Sequence, residues 1–133
     1  MQFSFDDYSE IPNDAVLMRL QEIDVSRNNI SFIDRHTFDE LGRLVTLHPD
    51  WNRTFVLDGE SLSRLSSLSL IDSALNLLTY LHQDIFKDNV NLNVVFLESY
   101  LLKFEIDVLE LSGRVKFLSL RNNILERLPF VNK

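Results

Sequence analysis

The chain has 133 residues and a mass of 15.6 kDa, which is enough for one domain with a modest hydrophobic core. It has no Cys, which excludes disulfides, thiolate metal sites and cysteine nucleophiles, and its 3 scattered His do not suggest a structural zinc site. The net charge of -7 argues against nucleic acid as a partner, because phosphate binding needs concentrated Lys and Arg, but it is compatible with basic protein partners.

Residues 1–19 open the chain without a basic region or an apolar block, so we do not expect a secretory signal peptide there. They contain six apolar side chains that we expect to cover the first of the repeated segments described next: Phe3, Phe5, Tyr8, Ile11, Val16 and Leu17. Residues 1–19 are therefore predicted to form an N-terminal cap, with a truncated repeat as the alternative. No apolar run in the chain is long enough for a membrane span, so we expect no membrane insertion within it.

Residues 20–133 contain five segments with one shared spacing of apolar residues. The segments start at Leu20, Leu44, Leu68, Leu92 and Val115, in steps of 24, 24, 24 and 23 residues. Each start is followed by an alternation of period two, which predicts a short strand whose leucines point inward. Because one segment cannot bury its apolar face alone, the strands are expected to stack into a parallel sheet.

A polar residue follows the predicted strand at the ninth position of four segments: Asn28, Asn52, Asn76 and Asn123. We expect these amides to satisfy backbone groups of the neighbouring turn. In the second segment Pro49 takes an inward leucine position, and because Pro cannot donate to a central strand pairing, we expect a shortened or distorted strand. In the fourth segment Tyr100 stands at the Asn position.

The pattern LxxLxLxxNxLxxL, clearest in the last segment, resembles that of leucine-rich repeat proteins. The residues that match it there are Val115, Leu118, Leu120, Asn123, Leu125 and Leu128. The first segment also has a Phe at its nineteenth position. In this it resembles the 24-residue repeat that is common in extracellular proteins such as Toll-type receptors. The resemblance implies an α/β-type solenoid: a short, curved stack with a parallel sheet on its concave face and an irregular or short helical convex side. It also implies recognition of a protein ligand by the concave face, without a cofactor.

The outward positions of the strands predict the residues of that face. Its C-terminal half is apolar, with Leu70, Leu75, Val94, Phe96 and Phe117. Such a patch typically marks an interaction site, and Phe96 and Phe117 are the expected anchors. The alternative is that loops of the chain or a second copy cover the patch. Trp51 is a further candidate contact, and counting places Ser99 on the same outward face at the eighth position of its segment.

The N-terminal half of the predicted face is polar. Asp24, His48 and Asp72 fall on adjacent strands about 4.8 Å apart, which would place the imidazole between two carboxylates. Because such neighbours favour the charged ring, we hypothesise that the pKa of His48 is raised and that partner binding there depends on mildly acidic pH. The alternative is a solvated polar face without a special role.

We expect neither catalysis nor a metal site. The chain has no G-x-S-x-G elbow, H-E-x-x-H pair or phosphate loop, and Asp24, His48 and Asp72 lack a placed nucleophile. Two N-x-S/T motifs begin at Asn29 and Asn52. Asn52 is expected to be engaged in its turn, so Asn29 is the glycosylation candidate.

The sequence therefore favours a receptor-like module that binds a protein ligand through its concave face, in an extracellular rather than a cytosolic setting. The absence of the cysteine-rich caps of familiar extracellular members would fit an internal fragment. One alternative is an intracellular scaffold or assembly subunit that docks through the edge of the solenoid. Another is a structural homo-oligomer, because the residues after Leu128 look too few to cover the last strand and its C-terminal edge could pair with a second copy.

Overall fold

The computed structural model describes residues 18–54, 56–82, 84–99 and 114–126. Most of the predicted N-terminal cap, Tyr100 and Leu128 lie outside these residues. The described part is built from short strands joined by turns, with almost no helix. None of its helices is long and apolar enough to cross a bilayer.

The described residues contain seven strands in two parallel sheets. In chain order the strands are β1 (Glu22–Asp24), β2 (Phe32–Ile33), β3 (Thr46–His48), β4 (Val56–Leu57), β5 (Leu70–Asp72), β6 (Val94–Phe96) and β7 (Phe117–Ser119). One open sheet has five strands in the order β1-β3-β5-β6-β7, and the other pairs β2 with β4. Each of the five predicted segments thus contributes one strand to the larger sheet. The connections between these strands are irregular rather than helical in the described residues.

The pairing register of the larger sheet follows the predicted spacing of the segments. Ile23 pairs with Leu47, Leu47 with Ile71, and Ile71 with Val95. These central residues are buried, whereas the residues on either side of them in β1, β3, β5 and β6 are half-buried. Because successive side chains of a strand point to opposite sides, the alternation defines an inward side and an outward side of the sheet.

The core lies on the inward side and is formed almost entirely by leucine, isoleucine and valine. Leucines at the first and fourth positions, such as Leu44, Leu47 and Leu68, are completely buried. At the nineteenth position Phe38 and Leu62 are also completely buried, and Phe86 packs against the same cluster. Burial of a side chain of this size contributes about 1.5–3 kcal/mol, and in a stacked fold most of that burial comes from neighbouring segments.

The side chain of Asn52 joins two consecutive turns of the chain. Its amide nitrogen donates to the carbonyl oxygens of Pro49 and Asp50 in its own turn, at 2.9 and 3.2 Å, and to that of Val25 in the preceding turn, at 2.9 Å. Its amide oxygen accepts the backbone N–H of Ile30 at 3.0 Å. A buried side chain thus satisfies backbone groups that a β-ladder cannot reach.

The same arrangement recurs at the next two asparagines of the pattern. Asn76 donates to Pro49 and Ser73 and accepts the N–H of Thr54. Asn123 donates to Leu97 and Leu120 and accepts the N–H of Ser99. The predicted role of the ninth position therefore holds, and each of these amides links its own turn to the one before.

The residue before each of the four asparagines of the pattern, Asn28, Asn52, Asn76 and Asn123, has a left-handed backbone. The φ angles are 57° at Arg27, 53° at Trp51, 55° at Leu75 and 57° at Asn122. This conformation costs an L-residue with a Cβ roughly 1–2 kcal/mol. The N–H groups of Arg27, Trp51 and Leu75 each donate to a backbone carbonyl oxygen in the next turn. The acceptors are Asp50, Ala74 and Glu98, at 3.0, 3.0 and 2.5 Å. Repeated hydrogen bonds between turns thus hold a conformation that sequence composition alone does not indicate.

Pro49 changes the sheet less than we expected. The strand before it, β3, has three residues like its neighbours, but it forms two residue pairs with β5 against three with β1. At the equivalent positions Val25 and Ser73 donate their N–H groups to the next strand. Pro49 has no N–H, so one hydrogen bond is lost and the strand is not shortened.

The fourth segment departs from the predicted register at Ser99. The N–H of Ser99 donates to the amide oxygen of Asn123. In the same way, the N–H groups of Ile30 and Thr54 donate to the amide oxygens of Asn52 and Asn76. The hydroxyl of Ser99 donates to the carbonyl of Leu78 at 2.8 Å, as that of Thr54 does to Ile30. By counting, Ser99 is the eighth residue of its segment, but it occupies the place of the eleventh. It is buried, and its predicted outward position is wrong because the turn between strand and connection is three residues shorter.

We predict that Asn52→Ala lowers the free energy of unfolding by about 1–3 kcal/mol, because it leaves buried carbonyl and N–H groups without partners. Urea denaturation measures the change. Asn29→Ala is the matched control, since Asn29 is exposed and a surface substitution usually changes stability by less than about 0.5 kcal/mol. Equal free energies of unfolding for the two variants would contradict the proposed contribution of the Asn52 amide to stability.

Candidate functional site

The outward side of the larger sheet presents two rows of side chains, which we call the outward face. The third positions give Glu22, Thr46, Leu70, Val94 and Phe117, and the fifth positions give Asp24, His48, Asp72, Phe96 and Ser119. All are half-buried except Phe117, which is exposed, and Ser119, which is buried. The structure therefore places the residues predicted at the third and fifth positions on one side of one sheet.

The C-terminal half of the outward face is a continuous apolar patch formed by Leu70, Val94, Phe96 and Phe117. Leu70 pairs with Val94, and Val94 pairs with Phe117, so the side chains are neighbours across β5, β6 and β7. The rings of Phe96 and Phe117 are 5.2 Å apart at their centroids and tilted by 49°. Phe117 remains 50% exposed, so the described residues do not cover the patch.

Two further predicted contacts lie on the left-handed turns beside the strands. Trp51 is 53% exposed, and the guanidinium of Arg27 lies 5.4 Å from the centroid of its ring. Leu75 takes the equivalent position in the next turn and is half-buried. Both side chains extend the surface beyond the strands, and Trp51 does so next to the acidic half.

The N-terminal half of the outward face gathers carboxylates around His48. The Nε2 atom of His48 lies 3.8 Å from a carboxylate oxygen of Glu22. One ligand atom each of His48, Asp50 and Asp72 lies within 4.8 Å of the other two. Sequence reasoning expected Asp24 and Asp72 as the flanking pair and missed Asp50. The signal was present, because Asp50 lies two residues after His48 and alternation puts both on the outward side.

Local hydrogen bonds orient two of these carboxylates. Asp24 accepts the N–H of Ser26 and Asp72 accepts the N–H of Ala74, both at 3.0 Å. Each bond closes a short turn at the end of its strand. In β3 the equivalent position is His48, and the carboxylate of Asp50 appears two residues later.

The pKa of Asp50 is raised above its ordinary value. Partial burial is the largest cause, and the negative charges of Asp72 and Asp24 act in the same direction. A backbone hydrogen bond and His48 oppose the rise without cancelling it. Burial, with the neighbouring negative charges as a smaller cause, therefore disfavours ionisation of Asp50. The hypothesis that partner binding near His48 depends on mildly acidic pH stays a prediction.

The imidazole and carboxylates of His48, Asp50 and Asp72 are a ligand set that could hold a divalent cation. Zinc bonds to nitrogen and oxygen at about 2.0–2.2 Å in a tetrahedral arrangement, which brings ligand atoms to about 3.4 Å of one another. A separation of up to 4.8 Å allows such a site only after side-chain movement.

The two N-x-S/T motifs occupy different environments. The amide of Asn52 is buried and fully engaged by the backbone, as expected. Asn29 is exposed. Its side chain therefore meets the steric requirement for an acceptor of N-linked glycans, and modification stays a prediction.

No protein-family model and no curated protein sequence matches this chain. Function therefore has to be inferred from the outward face itself, where an apolar patch and an acidic cluster lie side by side.

We predict that Asp50→Asn raises the free energy of unfolding at pH 7. A carboxyl whose pKa is raised in the folded protein stabilises it below the ordinary pKa, and that contribution is lost as the pH rises through the raised value. At neutral pH the charged Asp50 is therefore a cost, and Asn removes it. Urea denaturation at pH 7 and at about pH 4 measures the change, which is expected to be smaller at the lower pH.

The control for this substitution is Asp88→Asn, which likewise removes one negative charge, at an exposed position away from the sheet. It is expected to leave the stability nearly unchanged at both pH values. An equal gain in the two variants would assign the effect to net charge instead of the cluster around Asp50.

Proposed function

We propose that the chain is a protein-interaction module of the leucine-rich repeat type, a short curved solenoid that binds a protein ligand through its outward face. The repeat assignment is supported by the 24-residue steps, by one strand for each segment and by the amide bonds between consecutive turns. In such a stack the sheet lines the concave face, so the outward face would be the concave surface.

The observation on which the binding proposal depends is the exposed apolar patch around Phe96 and Phe117. Phe117 is an end-strand aromatic that is 50% exposed and in contact with a second ring. Full burial of a phenylalanine side chain contributes about 1.5–3 kcal/mol of free energy. In the free chain Phe117 is only half buried, so a partner that covers it would add to this contribution. Aromatic residues at the centre of a patch are typical anchors of protein interfaces.

The size of the sheet sets a condition on the partner. Five strands about 4.8 Å apart span about 19 Å, and three residues of each strand about 10 Å, which together cover about 200 Å². A stable interface buries about 800 Å² on each partner. The partner would therefore also contact the turns that hold Trp51 and Leu75, or it would bind weakly and transiently.

Self-association is the second candidate. It is favoured by the position of β7, which is the last strand of the described sheet and holds the exposed Phe117. An unpaired strand edge beside an apolar side chain can pair with a second copy. Light scattering over a range of concentrations separates the two proposals, since only self-association gives a mass that rises with concentration.

We predict that Phe117→Ala weakens partner binding at least tenfold, with little effect on folding because the side chain is half exposed. The partner is first captured from the native source and identified, and its affinity for the purified variants is then measured by calorimetry. Tyr80→Ala is the matched control, since Tyr80 is 55% exposed and lies outside the outward face.

Phe96→Asp is the second variant at the same patch, and it is expected to abolish binding because it places a charge at the centre of the patch. Urea denaturation of each variant shows whether the fold is retained. Unchanged affinity in folded Phe117→Ala and Phe96→Asp would contradict binding through the outward face.

A further inference from the structure

The acidic and apolar halves of the outward face meet at one pair of neighbouring strands. Asp72 in β5 is the direct partner of Phe96 in β6. Parallel strands are about 4.8 Å apart, so the change from carboxylate to aromatic ring occurs within a single strand spacing. A partner that buries Phe96 therefore also approaches Asp72.

The acidic side of this boundary concentrates negative charge. Asp50 and Asp72 lie together, and the negative charge of Asp72 raises the pKa of Asp50. Among the described residues neither carboxylate forms an ion pair with Lys or Arg. The guanidinium of Arg27, in the turn after β1, lies over the ring of Trp51. A group of like charges without a cation is complementary to a basic partner.

We propose, on the basis of the proposed function, that the partner's contact segment presents a Lys or Arg side chain to Asp50 and Asp72 and a large apolar side chain to Phe96 and Phe117. The two side chains would be about 5–10 Å apart, or one to two strand spacings. In an extended segment this separation corresponds to two residues, and on a helix to three or four.

An arginine fits the acidic cluster better than a bare cation does. Its guanidinium offers five N–H donors in a planar fork, which can reach two carboxylates at once. Acceptor atoms separated by up to 4.8 Å can bond to different N–H groups of that fork, whereas zinc would need them at about 3.4 Å. The adjacent rings of Phe96 and Phe117 would then receive the apolar side chain.

The test is selection of a random twelve-residue peptide library, displayed on phage, against the full chain in buffer with a chelator. We expect enrichment of Lys or Arg at a distance of two, three or four residues from an aromatic or large aliphatic residue. A synthetic copy of the most enriched peptide should lose at least tenfold in affinity for the double variant Asp50→Asn with Asp72→Asn. Its affinity for Asp88→Asn should be unchanged.

The amide substitutions are chosen to keep the fold. Asn at position 72 retains the oxygen that accepts the N–H of Ala74. If the double variant does not fold, Asp50→Asn alone serves, because the described structure places no hydrogen-bond donor from another residue on the carboxylate of Asp50, and a loss of at least threefold is then expected. Weaker peptide binding as salt rises would further support an ionic contact.

Three results would contradict this inference, and they distinguish its failure from failure of the function on which it rests. Enriched peptides without a basic residue, bound through Phe117 and unaffected by Asp50→Asn and Asp72→Asn, would overturn the basic-partner inference and leave protein binding intact. Peptides that bind Phe117→Ala and the double variant as tightly as they bind the unsubstituted chain would overturn both the inference and the proposed function. Binding that appears only when Zn²⁺ is added without chelator would assign the carboxylates to a metal ion and overturn the basic-partner inference.

Discussion

A side-chain amide that bonds to two consecutive turns is the interaction on which the rest of the structure depends. Strands of three residues leave most backbone groups of each segment outside the sheet, and Asn52 and Asn76 satisfy these groups in two turns at once. Backbone hydrogen bonds between the same turns hold Trp51 and Leu75 in a left-handed conformation that residues with a Cβ rarely adopt. Because each strand leads into one of these turns, the bonds between turns also help to hold neighbouring strands in register.

The sequence was sufficient for the parts of the fold that depend on simple periodicity. Alternation placed Leu47 inward and its neighbours outward, and a constant step of 24 residues predicted which residues pair across β1, β3 and β5. Counting failed at Ser99, because it assumes segments of constant shape and the fourth segment omits three residues of a turn. Only the hydrogen bonds of Ser99 to Asn123 and Leu78 reveal its true place.

The candidate site was predicted in composition but not in its contacts. The apolar residues Leu70, Val94 and Phe117 were expected on one surface, and they are neighbours there. The acidic cluster was expected around Asp24 and Asp72, yet the residues whose ligand atoms lie within 4.8 Å of one another are His48, Asp50 and Asp72. Alternation indicates that Asp50 lies on the outward side, but its distance from His48 and Asp72 depends on the turn after β3, which strand spacing does not determine. The contact between the Phe96 and Phe117 rings likewise depends on side-chain orientation, which spacing does not determine.

The central claim is that one side of the five-stranded sheet faces outward and receives a partner. Since the chain has no Cys, a single cysteine can report on each side of β6. Val94→Cys lies on the outward side, whereas Val95→Cys lies in the core. The account predicts that a thiol reagent labels Val94→Cys much faster than Val95→Cys and that a bound partner slows labelling of Val94→Cys. Equal labelling of the two variants, or no protection by the partner, would contradict it.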